Sequence, residues 1–380
     1  MKKFENTAIG IKGFTLSTMV LGKQVKAIID DVRENKSKIS KIEGVDMPHR
    51  EFACHSEDCW ISHEGDKMNV YFEIEILQEI KDCETFIITS AISSTSPKEL
   101  VMRNENDMSN IISAYNKFVA SVSKSIPTFS ECTISEVEYG INFDLNELGH
   151  KHITEELWEL TQRGIPNSYD YFRCIYFNGY SNLEYRYKTS GDVTVQHYRD
   201  CCDVDTPVPT NVICFIVKIK TRDSIILVMR EFAKDNSESD YTKNGNFLIM
   251  KQLFSEKKIK SVIKENFEDT IMRGSYFKMA LAAEAVQNSS FNQKEKADMV
   301  AVLKYISESG NVHDAIAVRN QFDGLTFLKS LHNLSIVGVN PITIKDDCKV
   351  DHIPGLLETC ESLVCDGIPV GKGERKKRGA

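Results

Sequence analysis

VTVQHYRD at residues 193–200 and VICFIVKIKTR at residues 212–222 are the segments that indicate the fold of this chain most clearly. Both segments are rich in β-branched and aromatic residues, which favour extended strands, and a short turn rich in aspartate and proline separates them. Because side chains alternate between the two faces of a strand, Lys218, Lys220 and Arg222 are predicted to share one face. The pattern predicts a strand that ends near Tyr198, beside a strand that carries cations.

Tyr198 is the leading candidate for a functional centre. A phenol held near fixed positive charge can attack a phosphodiester and retain the phosphate as a phosphotyrosine. The phenol has a pKa near ~10, so a metal or a neighbouring cation must stabilise the phenolate, and Lys220 and Arg222 are the candidates for this role. The alternative is that Tyr198 is an ordinary cross-strand aromatic residue and that the cations form the solvent-facing side of an amphipathic strand.

A second strand with functional residues is predicted at 134–143, where apolar and polar residues alternate. Glu136 and Glu138 lie two apart and therefore on one face, where two carboxylates could hold Mg²⁺ or Mn²⁺ through oxygen ligands. Carboxylates at this spacing are also common on exposed strand faces, so a solvated pair is the alternative.

The composition limits the kinds of function that this chain can have. With 380 residues, a formal net charge of −8 and no polycationic character overall, any DNA binding must be local. Eleven cysteines and the absence of a hydrophobic leader predict free thiols in a reducing compartment, most simply the cytoplasm. No apolar run approaches the ~20 residues needed to cross a bilayer, so a membrane role is not expected.

The order of predicted elements indicates an α+β protein with a largely antiparallel sheet and flanking helices, followed by a helical C-terminal domain. We expect an α+β domain at 1–235, because the composition turns polar and the periodicity changes near 235–239. A helical domain is expected at 236–345 and a C-terminal tail at 346–380. Within the helical domain, 299–318 has the outline of a helix-turn-helix that could bind DNA, although ordinary packing of a helical hairpin gives the same pattern.

The chain ends in a cluster of basic residues. Such a cluster can bind phosphates through counterion release, and a frayed, solvated terminus is the alternative. The four cations, together with Lys218 on the predicted strand, are the candidate DNA-binding residues: Arg375, Lys376, Lys377 and Arg378.

Several short motifs occur together in an order that resembles a known family. They are SPKEL at 96–100, ISEVE at 134–138, GIP at 164–166, VQHY at 195–198, the run from 215 that ends in IKTR at 222, and GVNP at 338–341. This order resembles that of the rolling-circle replication initiators of filamentous phages and related phage-like plasmids, over roughly residues 68 to 345. Each motif is short, so the specificity of the resemblance lies in their order.

The resemblance implies roles for particular residues and also shows departures. Tyr198 matches the nicking tyrosine and Glu138 matches an acidic position, while Glu136 stands where the family has a basic residue. Three further departures remove charged residues that the family has near the tyrosine. These departures are Asp200 in place of a lysine, and Cys214 and Ile216 in place of a cation and a carboxylate.

The function implied by the resemblance is origin-specific nicking and rejoining of one DNA strand through Tyr198, assisted by Mg²⁺ or Mn²⁺. Origin DNA and host replication proteins would be the partners, in a phage, plasmid or other mobile element. Each missing transition-state cation typically costs ~10²-fold or more in rate. A catalytically weakened DNA-binding or assembly protein of a mobile element is therefore the alternative, and an unrelated cytoplasmic protein with chance motif matches is a third.

Overall fold

A computed structural model describes the greater part of the chain. The described residues are 8–34, 39–42, 50–56, 59–63, 66–78, 85–94, 100–102, 105–146, 154–175, 182–200, 212–220, 253, 255–317 and 322–362.

Within these residues the strands form two sheets. The strands of the large sheet are β1 (Ala8–Leu21), β2 (Ile39–Ile42), β3 (Arg50–Ser56), β4 (Cys59–His63), β5 (Asp66–Gln78), β6 (Thr85–Ser94), β7 (Thr133–Asp144), β8 (Asp170–Ile175), β9 (Asn182–Ser190), β10 (Val193–Asp200) and β11 (Val212–Lys220). The two-stranded sheet pairs β12 (Tyr276–Phe277) with β13 (His352–Ile353).

The helices fall into two groups along the chain. They are α1 (Gly22–Glu34), α2 (Glu105–Val122), α3 (Thr154–Gly164), α4 (Glu256–Ile271), α5 (Met279–Gln287), α6 (Gln293–Ser309), α7 (Val312–Ala317), α8 (Gly324–Val337) and α9 (Leu356–Ser362). Helices α1 to α3 lie between strands of the large sheet, whereas α4 to α9 follow its last strand.

The large sheet is antiparallel throughout its described pairings, in the order β2-β3-β5-β6-β1-β7-β11-β10-β9-β8. Strand β4 also pairs with β5, which is long enough to accept β3 and β4 one after the other. Strands β1 and β7 lie side by side at the centre, with Phe14 opposite Val137.

The sheet consists of two halves with the same order of elements. The first half is a strand (β1), a helix (α1), strands that end with β6, and a second helix (α2); the second half repeats this with β7, α3, strands that end with β11, and α4. In both halves the last strand pairs with the first, β6 with β1 and β11 with β7. The repeat length exceeds 100 residues, so a search for repeats of 20 to 50 residues does not find it.

Apolar side chains on one face of the sheet pack against the helices. Phe72 of β5 stacks on Phe118 of α2 at 5.4 Å between ring centroids and meets Tyr115 edge-on at 5.9 Å. In the second half, Phe215 of β11 contacts Phe267 of α4 at 5.4 Å. Such ring pairs contribute about 0.5–1.5 kcal/mol each beyond the burial of their area. They fix which face of the sheet is covered by helices.

Local hydrogen bonds and a glycine define the two ends of helix α6. The Asn292 side chain accepts a hydrogen bond from the Glu295 backbone N–H and the Glu295 carboxylate accepts one from the Asn292 backbone N–H, which forms a capping box. At the other end Gly310 adopts φ +75°, a left-handed conformation that glycine reaches without steric cost. Met299 and Leu303 lie four apart and are both fully buried.

The α+β class, with an antiparallel sheet, flanking helices and a helical C-terminal region, is confirmed. Position 235, the expected domain boundary, lies outside the described residues. Helix α4, which follows that position, packs on β1, β7 and β11 and completes the helical layer of the sheet. Residues from the expected tail form β13 and α9. One continuous hydrophobic core joins the sheet to helices α5 to α9.

The predicted helix-turn-helix corresponds to α6, the turn at Gly310 and α7. The His313 ring nitrogen Nε2 lies 3.0 Å from the Gly164 carbonyl oxygen, and the Asn167 side chain donates to the Asp314 carboxylate at 2.7 Å. The beginning of α7 therefore contacts the end of α3 and the turn after it. Among the described helices, none combines the length and apolar composition that a bilayer crossing requires.

Candidate functional site

The functional residues predicted from the sequence lie on three adjacent strands, β7, β11 and β10. Lys218 of β11 is directly opposite Glu138 of β7, and Lys220 is opposite Glu136. Directly paired residues of an antiparallel sheet point to the same face, so these four side chains share one face. This is the face opposite the helices, because Phe215, which packs on α4, has the other alternation along β11.

The carboxylates of Glu136 and Glu138 and the ammonium group of Lys218 form one cluster, called the carboxylate–lysine cluster below. Lys218 Nζ lies 2.9 Å from Glu138 Oε1 and also bonds to Glu136 Oε1. The three side chains are between 18% and 25% exposed, so solvent weakens this attraction only in part. Burial disfavours the charge of Lys218, but the charges and hydrogen bonds of Glu138 and Glu136 outweigh it and raise the Lys218 pKa.

The sequence did not reveal that Lys218 joins the two carboxylates. It placed Lys218 in a row of DNA-binding cations and Glu136 and Glu138 in a separate metal site. The alternation within each strand was available from the sequence, but the pairing of β7 with β11 depends on a register between segments about 80 residues apart, which no local pattern specifies.

The surroundings of the cluster are polar. Thr15 of β1 is opposite Glu136, and Thr194 of β10 is opposite Lys218. Gly13 is opposite Glu138, and a Cβ atom at Gly13 would lie 3.4 Å from Glu138 Oε2. Because glycine has no side chain, the space beside this carboxylate oxygen is not filled from β1.

Tyr198 lies at the position of β10 that is opposite Cys214 of β11. Its neighbour His197 is fully buried on the helix face, where its ring contacts Phe215 and Phe267 at centroid distances of 5.0 and 5.1 Å. Backbone alternation therefore assigns position 198 to the face of the cluster. The side chain of Tyr198 is outside the described part of the structure.

The Tyr198 position and the carboxylate–lysine cluster lie in different rows of this face. Cys214, which is opposite Tyr198, and Lys218 are four residues apart on β11, which corresponds to about 13 Å along the strand. Glu138 lies one strand further away.

On β11 this face is apolar from Val212 to Ile216, whereas Gln196 of β10 lies opposite Ile216 and Asn142 of β7 lies opposite Cys214. Val212, Cys214 and Ile216 form a small hydrophobic cluster, with exposures of 4%, 1% and 7%. Since the alternate residues of β11 are buried under the helices, this part of the strand is buried on both faces. The continuous apolar run VICFIV signals such a strand in the sequence. Cys214 and Ile216 are thus packed residues of the described strand.

Glu136 and Glu138 could supply two of the oxygen ligands that a divalent cation needs. Mg²⁺ is commonly held by one or two carboxylates, with water and substrate phosphates as further ligands. Lys218 already bonds to both carboxylates, and the described residues contain no group of three or more His, Cys, Asp or Glu side chains that could hold a metal ion. Glu136 and Glu138 could therefore hold a cation only if the ammonium group of Lys218 moved away from them.

The remaining predicted site residues are outside the described part of the chain. They are Arg222, Arg375, Lys376, Lys377 and Arg378.

A cavity of about 240 Å³ lies elsewhere, between α3 and residues 344–348. Its walls include Glu159, Arg163, Lys345 and Cys348, and a Glu159–Lys345 ion pair of 2.5 Å crosses its rim. None of the residues that line this cavity belongs to the carboxylate–lysine cluster.

Comparisons with known proteins give weak likenesses only. No family model and no curated protein sequence matches this chain. A rolling-circle replication initiator protein from Geobacillus stearothermophilus superposes with a TM-score of 0.26 and 9% identity, over 60% of this chain and 80% of that chain. The di-domain aromatase/cyclase StfQ of the steffimycin biosynthetic pathway superposes with a TM-score of 0.17 and 10% identity, over 68% of this chain and 95% of that chain. Neither superposition establishes a shared fold.

Proposed function

We propose that this chain initiates replication of a phage, plasmid or other mobile element by nicking and rejoining one DNA strand through Tyr198. The observation that supports this most is the shared face: position 198, Lys218, Lys220 and the two carboxylates lie on the side of the sheet opposite the described helices. Lys220 is exposed there, and Lys218 and the two carboxylates are partly exposed, so a nucleic-acid strand could contact this end of the face.

The proposed reaction is a transesterification. The Tyr198 phenolic oxygen attacks the scissile phosphorus, the phenol gives up its proton, and a new bond forms between the tyrosine and the 5′ phosphate. The bond to the 3′ oxygen breaks, and this oxygen takes up a proton to become the free 3′ hydroxyl. Rejoining is the reverse reaction, in which the 3′ hydroxyl displaces the tyrosine.

The cationic residues have distinct proposed roles. Lys220 is exposed at the end of β11 and would bind a phosphate of the strand, with Arg222 continuing the row. The basic residues 375–378 would add sequence-independent affinity for DNA. A Mg²⁺ or Mn²⁺ ion is the proposed cofactor; at Glu136 and Glu138 it would lie at least about 13 Å from the Tyr198 row, so it would bind a DNA phosphate other than the scissile one. Origin DNA and host replication proteins are the proposed partners, in the cytoplasm of the host.

Nicking of supercoiled plasmid tests the proposal. The plasmid carries the origin of the element that encodes this chain, and the reaction contains Mn²⁺. We expect nicked circles with protein attached to the 5′ end. Tyr198→Phe should abolish the adduct and leave DNA binding unchanged, because only the attacking oxygen is removed.

Tyr187→Phe is the matched control for this variant. Tyr187 lies on the neighbouring strand β9, opposite Gln196 of β10, so it shares the face of position 198. It should retain adduct formation. Full activity of Tyr198→Phe would reassign the nucleophile to Tyr185, which is directly opposite position 198, or to Tyr187, and loss of activity in Tyr185→Phe or Tyr187→Phe would show which one. Adduct formation by neither wild type nor variants would overturn the proposal.

The apolar cluster of Val212, Cys214 and Ile216 favours a second candidate function. These residues adjoin the Tyr198 row and are almost fully buried, so β11 supplies no charged group there to stabilise a transition state. A DNA-binding or assembly protein that has lost the nicking reaction fits this arrangement. A gel shift with origin DNA, without nicked circles, would identify this second function.

A further inference from the structure

Helix α8 presents a row of apolar side chains to solvent. Leu325, Leu328 and Ile336 are 76%, 51% and 61% exposed, and His332 between them is exposed as well. Residues at intervals of three and four share one side of a helix, and these four are called the α8 stripe below. Six large apolar side chains are exposed in the described structure, and three of them lie on this stripe. Single exposed residues are ordinary, whereas a contiguous apolar row marks an interaction surface.

The opposite side of α8 is held by the protein itself. Phe327 and Leu334 are fully buried, and the Phe327 ring meets that of Tyr305 of α6 edge-on at 6.4 Å between centroids. The Asp323 side chain caps the first turn of α8, and Gly338 with φ +80° ends the helix. The stripe is therefore a fixed surface of the protein and is not needed to hold α8 in place.

The charge next to the stripe is already compensated. Lys329 lies at its edge, and the Lys329 ammonium group pairs with the Glu295 carboxylate of α6 at 2.9 Å. The stripe offers apolar side chains rather than an unpaired cation. It therefore suits another apolar surface better than it suits the phosphates of DNA.

Two copies of the stripe match each other when the two helices run antiparallel. A two-fold axis midway along α8, between residues 330 and 331, would place Leu325 beside the partner's Ile336 and Leu328 near the partner's His332. Such a contact uses the same patch on both copies and closes after two of them. Antiparallel helices also bring the positive end of each helix dipole next to the negative end of the other.

We propose that this chain forms a two-fold dimer through the α8 stripe, with the two α8 helices antiparallel. Stable complexes bury about 800 Å² on each partner, which is more than three partly exposed side chains supply. The dimer is therefore a weak one, with a dissociation constant in the micromolar range. Its formation does not depend on the nicking reaction.

Sedimentation velocity of the full-length protein, at concentrations from about 1 to 100 μM, tests the proposal. The average mass should rise with concentration from that of one chain toward that of two. Leu325→Lys and Ile336→Glu, each alone, should raise the dissociation constant at least about tenfold, because each puts an unpaired charge against an apolar side chain. A wild-type protein that remains monomeric throughout, or association that persists in both variants, would overturn the proposal.

Met19→Lys is the matched control. Met19 is 64% exposed and apolar, like the residues of the stripe, but it lies on β1 of the large sheet. Its substitution should change the dissociation constant by no more than about twofold, since surface changes away from a contact are nearly neutral. An effect equal to that of Leu325→Lys would mean that added charge alone prevents association, against the proposal. Circular dichroism checks that each exposed substitution leaves the fold intact.

The double variant that combines Leu325→Lys with Ile336→Glu tests the antiparallel arrangement. In the proposed dimer these two positions face each other across the two-fold axis, so the introduced charges would attract, and association should recover at least about fivefold relative to either single variant. The two positions are about 17 Å apart along one helix, so the charges cannot pair within one copy. Association of the double variant that is as weak as that of the single variants would overturn the proposal.

Discussion

Two tyrosines of the core differ in a single hydrogen bond. Tyr139 of β7 and Tyr276 of β12 are both fully buried. The Tyr276 hydroxyl donates to the Ile271 carbonyl oxygen at 3.1 Å, whereas the Tyr139 hydroxyl has no hydrogen-bond partner in the described structure. Burial also raises the pKa of Tyr139, so its phenol stays neutral in the folded protein at all ordinary pH values.

Tyr139→Phe should therefore stabilise the protein. A buried hydroxyl without a partner costs about 1–3 kcal/mol, and we expect the free energy of unfolding to rise by about 1 kcal/mol when it is removed. Tyr276→Phe is the control and should lower that free energy by about 1 kcal/mol, since it removes one buried hydrogen bond and leaves the Ile271 carbonyl oxygen with the donor from Asn340 Nδ2 alone. Urea denaturation measures both values. A loss of stability in Tyr139→Phe as large as that in the control would show that the Tyr139 hydroxyl has a partner.

Cys132, between the short 3₁₀ helix at Phe129–Glu131 and β7, should be an unreactive thiol. It is 3% exposed, and burial raises its pKa to about 11, with a smaller contribution from the charge of Glu131. At pH 9 we expect iodoacetamide to modify Cys132 at least about 50-fold more slowly in the native protein than in urea, because little thiolate is present. Mass spectrometry of the Cys132 peptide measures this rate.

The raised pKa of Cys132 makes the free energy of unfolding depend on pH. The pKa of Cys132 is higher in the folded protein than in the unfolded chain. The contribution of the protonated thiol to the free energy of unfolding is therefore fully present below about pH 8.5 and is lost as the pH rises toward 11. Cys132→Ala should flatten this part of the pH dependence relative to wild type. If iodoacetamide modified Cys132 of the native protein at pH 9 as fast as in urea, the burial of this thiol in the folded protein would be contradicted.

At the scale of elements, Arg163 joins the end of α3 to the helical region. Its Nε donates to the Gly310 carbonyl oxygen at 2.9 Å and its Nη1 donates to the Thr343 carbonyl oxygen at 2.8 Å. The next residue, Gly164, is close to α4, since a Cβ atom there would lie 1.9 Å from the Thr270 carbonyl oxygen. These contacts connect the second half of the sheet to the turn after α6 and to the segment after α8.

Arg163→Met should destabilise this junction. Hydrogen bonds from a charged donor contribute about 1.5–3 kcal/mol, so we expect the free energy of unfolding to fall by about 2 kcal/mol. Lys345→Met is the control: Lys345 pairs with Glu159 at 2.5 Å, but both side chains are more than half exposed, so its loss should cost less than about 1 kcal/mol. Guanidinium denaturation compares the two variants. Equal effects would show that the bonds of Arg163 to the backbone do not hold the junction.

At the scale of the whole molecule, the two halves of the sheet share a plan but differ in charge. The second half carries Glu136, Glu138 and Lys218 on its open face. With Phe14 opposite Val137 at the centre, the equivalent positions of β1 are Gly13 and Thr15, which carry no charge. The duplicated architecture therefore contains the carboxylate–lysine cluster in one half only, among the described residues.

The continuous core predicts that the protein unfolds as a unit. Buried residues of the sheet, of α4 and of the helices that follow it belong to one cluster, and α3 contacts α7 as well as α4. We expect a single transition in differential scanning calorimetry, with equal calorimetric and van't Hoff enthalpies. Two separated transitions would show that the helical region after α4 is an independent cooperative unit.

The class of fold and the alternation of side chains within each strand follow from local patterns in the sequence. β-branched runs at 134–143, 193–200 and 212–220 predicted strands, and helical spacing predicted the later helices, because both signals are local periodicities of the chain. Alternation also placed Glu136 with Glu138 and Lys218 with Lys220, since neighbours two apart on a strand share a face.

Which of these strand faces lie side by side depends on long-range pairing that appears only in the folded structure. The register of β7 against β11 put Lys218 between the two carboxylates, and the register of β10 against β11 put position 198 in the row of Cys214, about 13 Å along the strand from Lys218. Strand order and register depend on contacts between segments that are far apart in the sequence and that form only when the whole sheet packs. Local sequence carries too little of that information to fix a site built from three strands.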